Sequence, residues 1–252
     1  MLFRSADFSG CGTEVSYFPI SHNSALVARV RVMAPGSARQ DGVPGFLPHT
    51  VTRRTNHRKF DPDKPVTDEE RRALYTCFYS PNVSLHFIAD RPVLQRLAEM
   101  ERVADRHLFA DSAYRSELAA WIGEGLLGTS WLVSKLGQFA VEALPVGRQV
   151  SQFDAGLVAS TPLAAVLSTG RDNPVDQVHV GESYMRITLL AESMGLRVQP
   201  VSQILEVAET RTQLAEAANL SDRFAQHVFR IGRGQAEPAV RRRRALEDMV
   251  LR

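Results

Sequence analysis

The sequence predicts an α+β fold with a mostly antiparallel central sheet flanked by helices, on three observations. Helical and strand-like segments are interspersed, yet no regular βαβ repeat links them and no internal repeat occurs. The composition is globular: 252 residues, 44% hydrophobic, 23% charged and 8% aromatic, enough for a real core in one sizeable domain or two small ones. No apolar run reaches the length of about 18 residues that a membrane span needs, so no membrane partner is expected.

The same figures exclude a disordered chain and a disulfide-stapled miniprotein. Cys11 and Cys77 are too few for a disulfide framework. Met1 to Gly12 is mixed polar and aromatic and lacks the apolar stretch of a secretory signal. A cytoplasmic location is the expectation.

The elements follow in order. Ala25 to Met33 alternates in the strand manner, with Ala28, Val30 and Val32 on one face and Arg29 and Arg31 on the other. A Gly/Pro-rich linker, Ala34 to Leu47, closes this first unit, so Ser9 to Pro48 reads as a strand and its loops. Thr67 to Glu70 forms a capping box ahead of a helix with Leu74, Cys77 and Phe78 on one side. Val83 to Ala89 alternates like a strand. Asp90 and Pro92 open a helix whose buried stripe is Leu94, Leu97, Ala104 and Leu108. Asp111 to Ile122 is helical, with Leu118 and Ile122 inward.

From Gly123 to Phe153 glycines interrupt apolar stretches. Two readings stand side by side, a mobile surface excursion able to act as a lid and an irregular packed helix pair. Leu163 to Leu167 suits a buried strand. Asp176 to Met194 is the strongest helix, with Val180, Ile187, Leu190, Ala191 and Met194 on one face and Gly195 as its stop. Arg197 to Ile204 is short and proline-broken, Glu209 to Ala218 helical, and Val228 to Ile231 a last strand. Ala245 to Leu251 is a further short strand or helix.

Chemistry carried by the protein itself is hard to find. There is no GxSxG elbow, HExxH, CxxC or P-loop. The seven histidines, among them His22, His49, His57, His86 and His107, show no metal-ligand spacing beside a carboxylate, so no metal is expected. An enzyme of this composition would rely on a cofactor.

The net charge of +2 decides nothing, but only Lys59, Lys64 and Lys135 of 30 basic residues are lysine. Arginine favours bidentate contact with phosphate, although a GC-rich coding sequence also yields it. Two clusters stand out, Arg53 to Arg58 and Arg241 to Arg244. Each can be a solvated run. Together they can seat a phosphate, each close cation contributing about 4 kcal/mol at an effective dielectric near 20. Aromatics interleaved for base stacking are missing, so no nucleic-acid partner is expected.

The string Arg54-Thr55-Asn56-His57-Arg58-Lys59-Phe60, followed by Pro65-Val66, resembles the opening signature of the nitroreductase superfamily, roughly R-x-S-x-R-x-F. The resemblance implies that Arg54, Asn56 and Arg58 grip the phosphate and ribityl chain of FMN, with Arg53 and Thr55 as adjacent candidates. Gly195 to Gln203 is similar to that superfamily's G-[LI]-x-x-x-P-[IV] segment, which maps Pro200, Val201, Ser202 and Gln203 against the isoalloxazine edge near N5. The tail offers Arg241 and Arg243 for the basic residues that close over the phosphate. RRTNHRKF, LSTGRDNP, GLRVQPVSQ and FRIGRG further resemble the Acg-type branch, tandem chains that amount to a fused dimer.

That resemblance implies a nitroreductase-like domain over residues 51–252, behind residues 1–50 as the remnant of an N-terminal half, a strand and its linker. The N-x-Q-P-W segment of the branch is absent, and Pro81 to Phe87 is a degenerate equivalent. The implied function is an FMN-dependent oxidoreductase taking hydride from NAD(P)H to a small-molecule acceptor, a nitro compound or quinone, in a homodimer. No general acid or base is expected from the protein. Two alternatives remain: a flavin-sequestering protein with little turnover, and a degenerate partner subunit without flavin.

Overall fold

The computed structural model describes residues 11–21, 23–36, 47–77, 80, 82–124, 137, 139–141, 147–237, 247 and 249–250. Along them run β1 (Cys11–Tyr17), β2 (Ala28–Pro35), α1 (Leu47–Thr52), α2 (Asp68–Thr76), β3 (Val83–Ile88), α3 (Arg91–Ala110) and α4 (Ser112–Gly123). Then come α5 (Gly147–Ala159), β4 (Leu163–Thr169), α6 (Pro174–Ser193), β5 (Arg197–Pro200), α7 (Gln203–Glu206), α8 (Ala208–Ala217) and β6 (Phe224–Gly232).

β3, β4, β6 and β5 lie side by side in that order as one antiparallel sheet. β4, inside the sheet, is buried along its whole length, which its unbroken apolar run requires. Alternation then gives each strand two different neighbours. Leu163, Ala165, Leu167, Phe229 and Ile231 face α2 and α6, meeting Leu74, Val180, Ile187 and Ala191. Ala164, Val166 and Val228 face the opposite layer, meeting Leu94 and Leu97 of α3, Val158 of α5, Ile204 of α7 and Leu214 of α8.

The helix starts are written in single residues. The Thr67 side chain accepts from the Glu70 amide while the Glu70 carboxylate accepts from the Thr67 amide. Asp90 caps α3, accepting from the Val93 amide at 3.1 Å. Asp111 ends α3 and starts α4, accepting from the Ala113 amide at 2.8 Å. Asn173 caps α6. Gly195 ends α6 at φ +71°, in the left-handed region where a Cβ is penalised, and lets the Leu196 amide return to the Ala191 carbonyl at 2.8 Å.

The differences from the sequence reading are specific. The Ala25–Met33 strand is half of a hairpin: β1, not separated from its loops by pattern, pairs with β2 in a sheet of its own. Val15 and Val30 are opposite each other in it, and Val32 is exposed at 57%. Leu108 is half-buried while Phe109 takes the core position. Within 123–153, the stretch from Gly147 opens α5, which lies along α3 and buries Ser151, Ala155, Leu157 and Val158. That end follows the packed-helix reading. Residues 125–136, 138 and 142–146 lie outside the described residues, as do Phe78 and most of 245–251.

Candidate functional site

Residues 53–60 run along the outer edge of β5. Thr55 forms a parallel bridge with Val198, and the Asn56 amide donates to the Val198 carbonyl at 3.0 Å. The first predicted motif is thereby laid beside the second. Asn56 is fully buried, its side chain donating to the Gln235 carbonyl at 2.7 Å and accepting from the Arg58 amide at 3.0 Å. It is a latch between loop and tail. Arg54 turns back on its own segment, donating to the carbonyls of Val51 at 2.7 Å and Arg53 at 2.9 Å. These are end-of-helix carbonyls that α1 leaves without intrahelical partners. The Arg53 Nε is buried with no partner.

Arg58 reaches the tail. Its guanidinium donates to the Gln235 side chain at 2.5 Å and stands 3.8 Å from the Glu237 carboxylate. The same carboxylate accepts from the His57 amide at 2.9 Å. A backbone N–H and a guanidinium thus converge on one carboxylate, the donor set that holds oxyanions. Beside the loop is an open hollow of about 650 Å³ edged by Arg58, Lys59, Lys64 and Arg233. Lys64 is paired with Asp61 at 3.1 Å, and Arg233 donates to Glu70 and to the Pro65 carbonyl.

The loop's foundation is Arg230, which sequence reasoning missed. It is fully buried on β6, on the α3–α5 side of the sheet with Val228. It donates to the Gln199 side chain at 2.6 Å and to the carbonyls of Asn56 at 3.1 Å and Arg58 at 2.7 Å. Its guanidinium stacks over Phe60 at 4.0 Å, and its Nη1 has no partner. Burial pulls its pKa down to about 10, opposed by the charge of Asp154, so it stays cationic at neutral pH. The signal in the sequence was FRIGRG. Gly232 and Gly234 admit Phe60, since a Cβ on Gly232 would meet the ring at 2.6 Å and one on Gly234 would meet the Lys59 carbonyl at 2.8 Å.

On the same side of the sheet Glu101 and Asp105 are buried, with Glu101 Oε2 and both Asp105 oxygens unpartnered. Burial, then the nearby carboxylates, push Glu101 up to about 9 and Asp105 up to about 7. Burial raises Asp154 and Glu206 as well.

Pro200 ends β5 and Ser202 precedes α7, while Val201 is buried and its amide donates to the Val228 carbonyl at 2.8 Å. Gln203 begins α7, half-buried. The structure therefore brings together Thr55, Asn56, Arg58 and the 197–203 segment at one sheet edge, with 235–237 across them. Arg241 and Arg243 lie outside the described residues. His227 is held neutral, burial lowering it to about 4 between the rings of Tyr184 and Phe229. Burial pushes the Cys77 thiol up to about 12. Among the described residues, no group of three or more His, Cys, Asp or Glu could hold a metal ion, and no helix is long and apolar enough to cross a membrane.

No protein-family model matches the chain, and no curated protein matches it. Solved structures do. An oxidised iodotyrosine deiodinase, bound to FMN and 3-iodo-L-tyrosine, superposes with a TM-score of 0.55 at 10% identity, over 80% of this chain and 97% of that one. A BluB-like flavoprotein from Clostridium difficile gives 0.52 at 13%, over 82% and 98%. The NADPH:FMN oxidoreductase of Vibrio harveyi, complexed with NAD+, gives 0.50 at 16%, over 82% and 76%. At these identities the likeness is one of fold: the chain has the α+β, nitroreductase-like architecture.

Proposed function

We propose that the chain is an FMN-dependent oxidoreductase of the nitroreductase type, using NAD(P)H and an electron-poor acceptor such as a nitro compound or quinone. The observation that carries this reading is the seating of the Glu237 carboxylate on the His57 amide and Arg58. It is a built oxyanion seat inside the very segment that resembles the flavin-phosphate signature. The donor chemistry fits a phosphate monoester, which would take the place of Glu237. The fold, shared with flavoproteins, supports the same reading.

When bound, FMN supplies the hydride chemistry, so the protein's part is to hold and tune. Arg58 and the His57 amide neutralise and orient the phosphate. Arg230 keeps the carbonyls of Asn56 and Arg58 turned inward, which leaves the next amide free to face outward. Pro200 to Gln203 flank the ring, with the backbone near Ser202 as the donor toward its edge. Arg53 and Arg54 border the seat, and Arg241 and Arg243 close it from the tail. Pairing as a homodimer, a cytoplasmic location and membership in the Acg-type branch belong to this proposal.

The purified chain should carry a flavin absorbance band or quench FMN fluorescence on titration. No band and no quenching would sink the reading. One observation favours a second version, a flavin-sequestering protein: the 235–237 strap is fastened over the seat by Gln235 and Glu237. Bound flavin that NAD(P)H reduces only very slowly would select it. Rapid reduction would select the enzyme.

A further inference from the structure

The face of α6 turned away from the sheet is met by the β1–β2 hairpin through Tyr17, which bonds Glu182 and packs edge-on to His179, and the seam between them does not fill. Val178, Gly181, Glu182, Met185, Arg186 and Leu189 recur at helical spacing along it. With Val15, Tyr17, Ala28 and Val30 of the hairpin and Thr50 of α1 they line an open-sided hollow of about 390 Å³. Protein interiors ordinarily close such seams to crystal-like density. This one stays open at Gly181, where a built Cβ would have nothing within 4 Å. Glycine inside a helix costs about 1 kcal/mol relative to alanine, so a packing seam would gain from a larger residue there.

One end of the hollow is polar. The Tyr17 hydroxyl donates to the Glu182 carboxylate at 2.6 Å, which commits one side of that carboxylate. Arg186, one turn further, is half-buried and makes no hydrogen bond or ion pair among the described residues. A guanidinium in a partly apolar setting gains from an anion. None of residues 53–58 or 200–203 lines this hollow.

We propose that the hairpin–α6 hollow is a second ligand site, for a small amphipathic anion: an apolar body of one or two rings with a carboxylate that pairs with Arg186. Its volume is at the lower end of the range of about 300–1,000 Å³ typical of small-molecule pockets. Apolar walls bind the body, Arg186 selects the head, and Gly181 makes the room.

The test is calorimetric titration of the full chain with 2-naphthoate and its neutral counterpart 2-naphthamide, with and without saturating FMN. Naphthoate should bind at least about tenfold more tightly than the amide. Arg186→Gln should reduce naphthoate to the affinity of the amide and leave the amide unchanged. Gly181→Leu, which improves helix propensity and so should fold, should weaken both by a similar factor of about ten or more. Absence of naphthoate binding, equal binding of acid and amide, or indifference to Gly181→Leu would overturn the proposal. Displacement of naphthoate by FMN would overturn it too, assigning the hollow to the flavin. Binding that FMN does not disturb would uphold it even if the flavin reading failed.

Discussion

The two faces of the four-stranded sheet are packed by different physics. The face under α2 and α6 is dry: Leu85, Leu163, Leu167, Ile187, Phe229 and Ile231 meet there, with His227 held neutral among aromatic rings. The face under α3 and α5 has an equally apolar centre but carries Arg230, Glu101, Asp105 and Asp154 toward one end. A dry face needs only volume and pattern. A face with buried charge needs partners, and several of its polar atoms have none. The lesson is that both sides carry core, while the candidate site's foundation rests on the charged one.

The largest effect expected is at Arg230. Arg230→Leu leaves the Gln199 side chain and the carbonyls of Asn56 and Arg58 without their charged donor. Urea unfolding should register a loss of about 3–5 kcal/mol, as for several buried acceptors that lose one charged donor. Leu167→Ala on the dry face should cost about 2–5 kcal/mol. The comparison breaks on function: at matched instability only the Arg230 variant should weaken FMN binding. Equal FMN affinity in the two would show that the loop does not depend on Arg230.

Arg58→Ala comes next, with a loss of about 1.5–3 kcal/mol in FMN affinity for one charged hydrogen bond. Fluorescence titration measures it, and an unchanged Kd would misplace the phosphate. Arg54→Ala should do less, since its guanidinium already serves the carbonyls of Val51 and Arg53.

The carboxylates give the charged face a pH signature the dry face lacks. Glu101, raised from 4.5 to about 9, and Asp105, raised from 3.8 to about 7, bind more protons folded than unfolded. Stability therefore falls as pH rises, from the unfolded values near 4 until each folded value is passed. Glu101→Leu removes a buried unsatisfied group and should stabilise by about 1–3 kcal/mol at pH 8. The gain should shrink at pH 4.5, where the carboxyl of the unfolded chain is protonated too and folding no longer has to take up a proton. A gain independent of pH in thermal melts would refute the assignment.

A smaller change is expected from Glu237→Gln, which removes the resident charge from the oxyanion seat. FMN should bind up to about tenfold more tightly, or about 1.4 kcal/mol. Weaker binding would mean that Glu237 supports the loop rather than competing for it. Thr67→Ala should cost about 1 kcal/mol through its lost cap, read from urea unfolding.

Much of the fold was legible because its causes are local. Thr67, Asp90 and Gly195 mark helix ends by chemistry within four residues, and they do so in the folded chain, whereas Asn173, which caps α6 ahead of the expected start at Asp176, was not singled out. The stripe of α6 and the apolar run of β4 were equally direct. β1 was not, because Thr13, Glu14 and Ser16 break its apolar pattern and its partner lies beyond a loop. α5 was hidden because glycines at 147 and 156 mask its period, although Gly147 is the residue that lets Phe109 pack close.

At the candidate site, charge and motif order were readable, and relationships were not. Arg54, Asn56 and Arg58 stand in one string, yet one serves its own helix, one latches the tail and one faces the oxyanion seat. The sequence by itself determined the class of fold, the capped ends of several helices and the segments where an anion could be held, since these depend on side-chain types and short spacings. Only tertiary structure decided that residues 55–56 would lie against Val198, that Glu237 would occupy the seat, and that Arg230 would be buried beneath it. The physical reason is separation: these contacts join residues more than 140 positions apart, and which donor meets which acceptor is settled by how the sheet orders its strands.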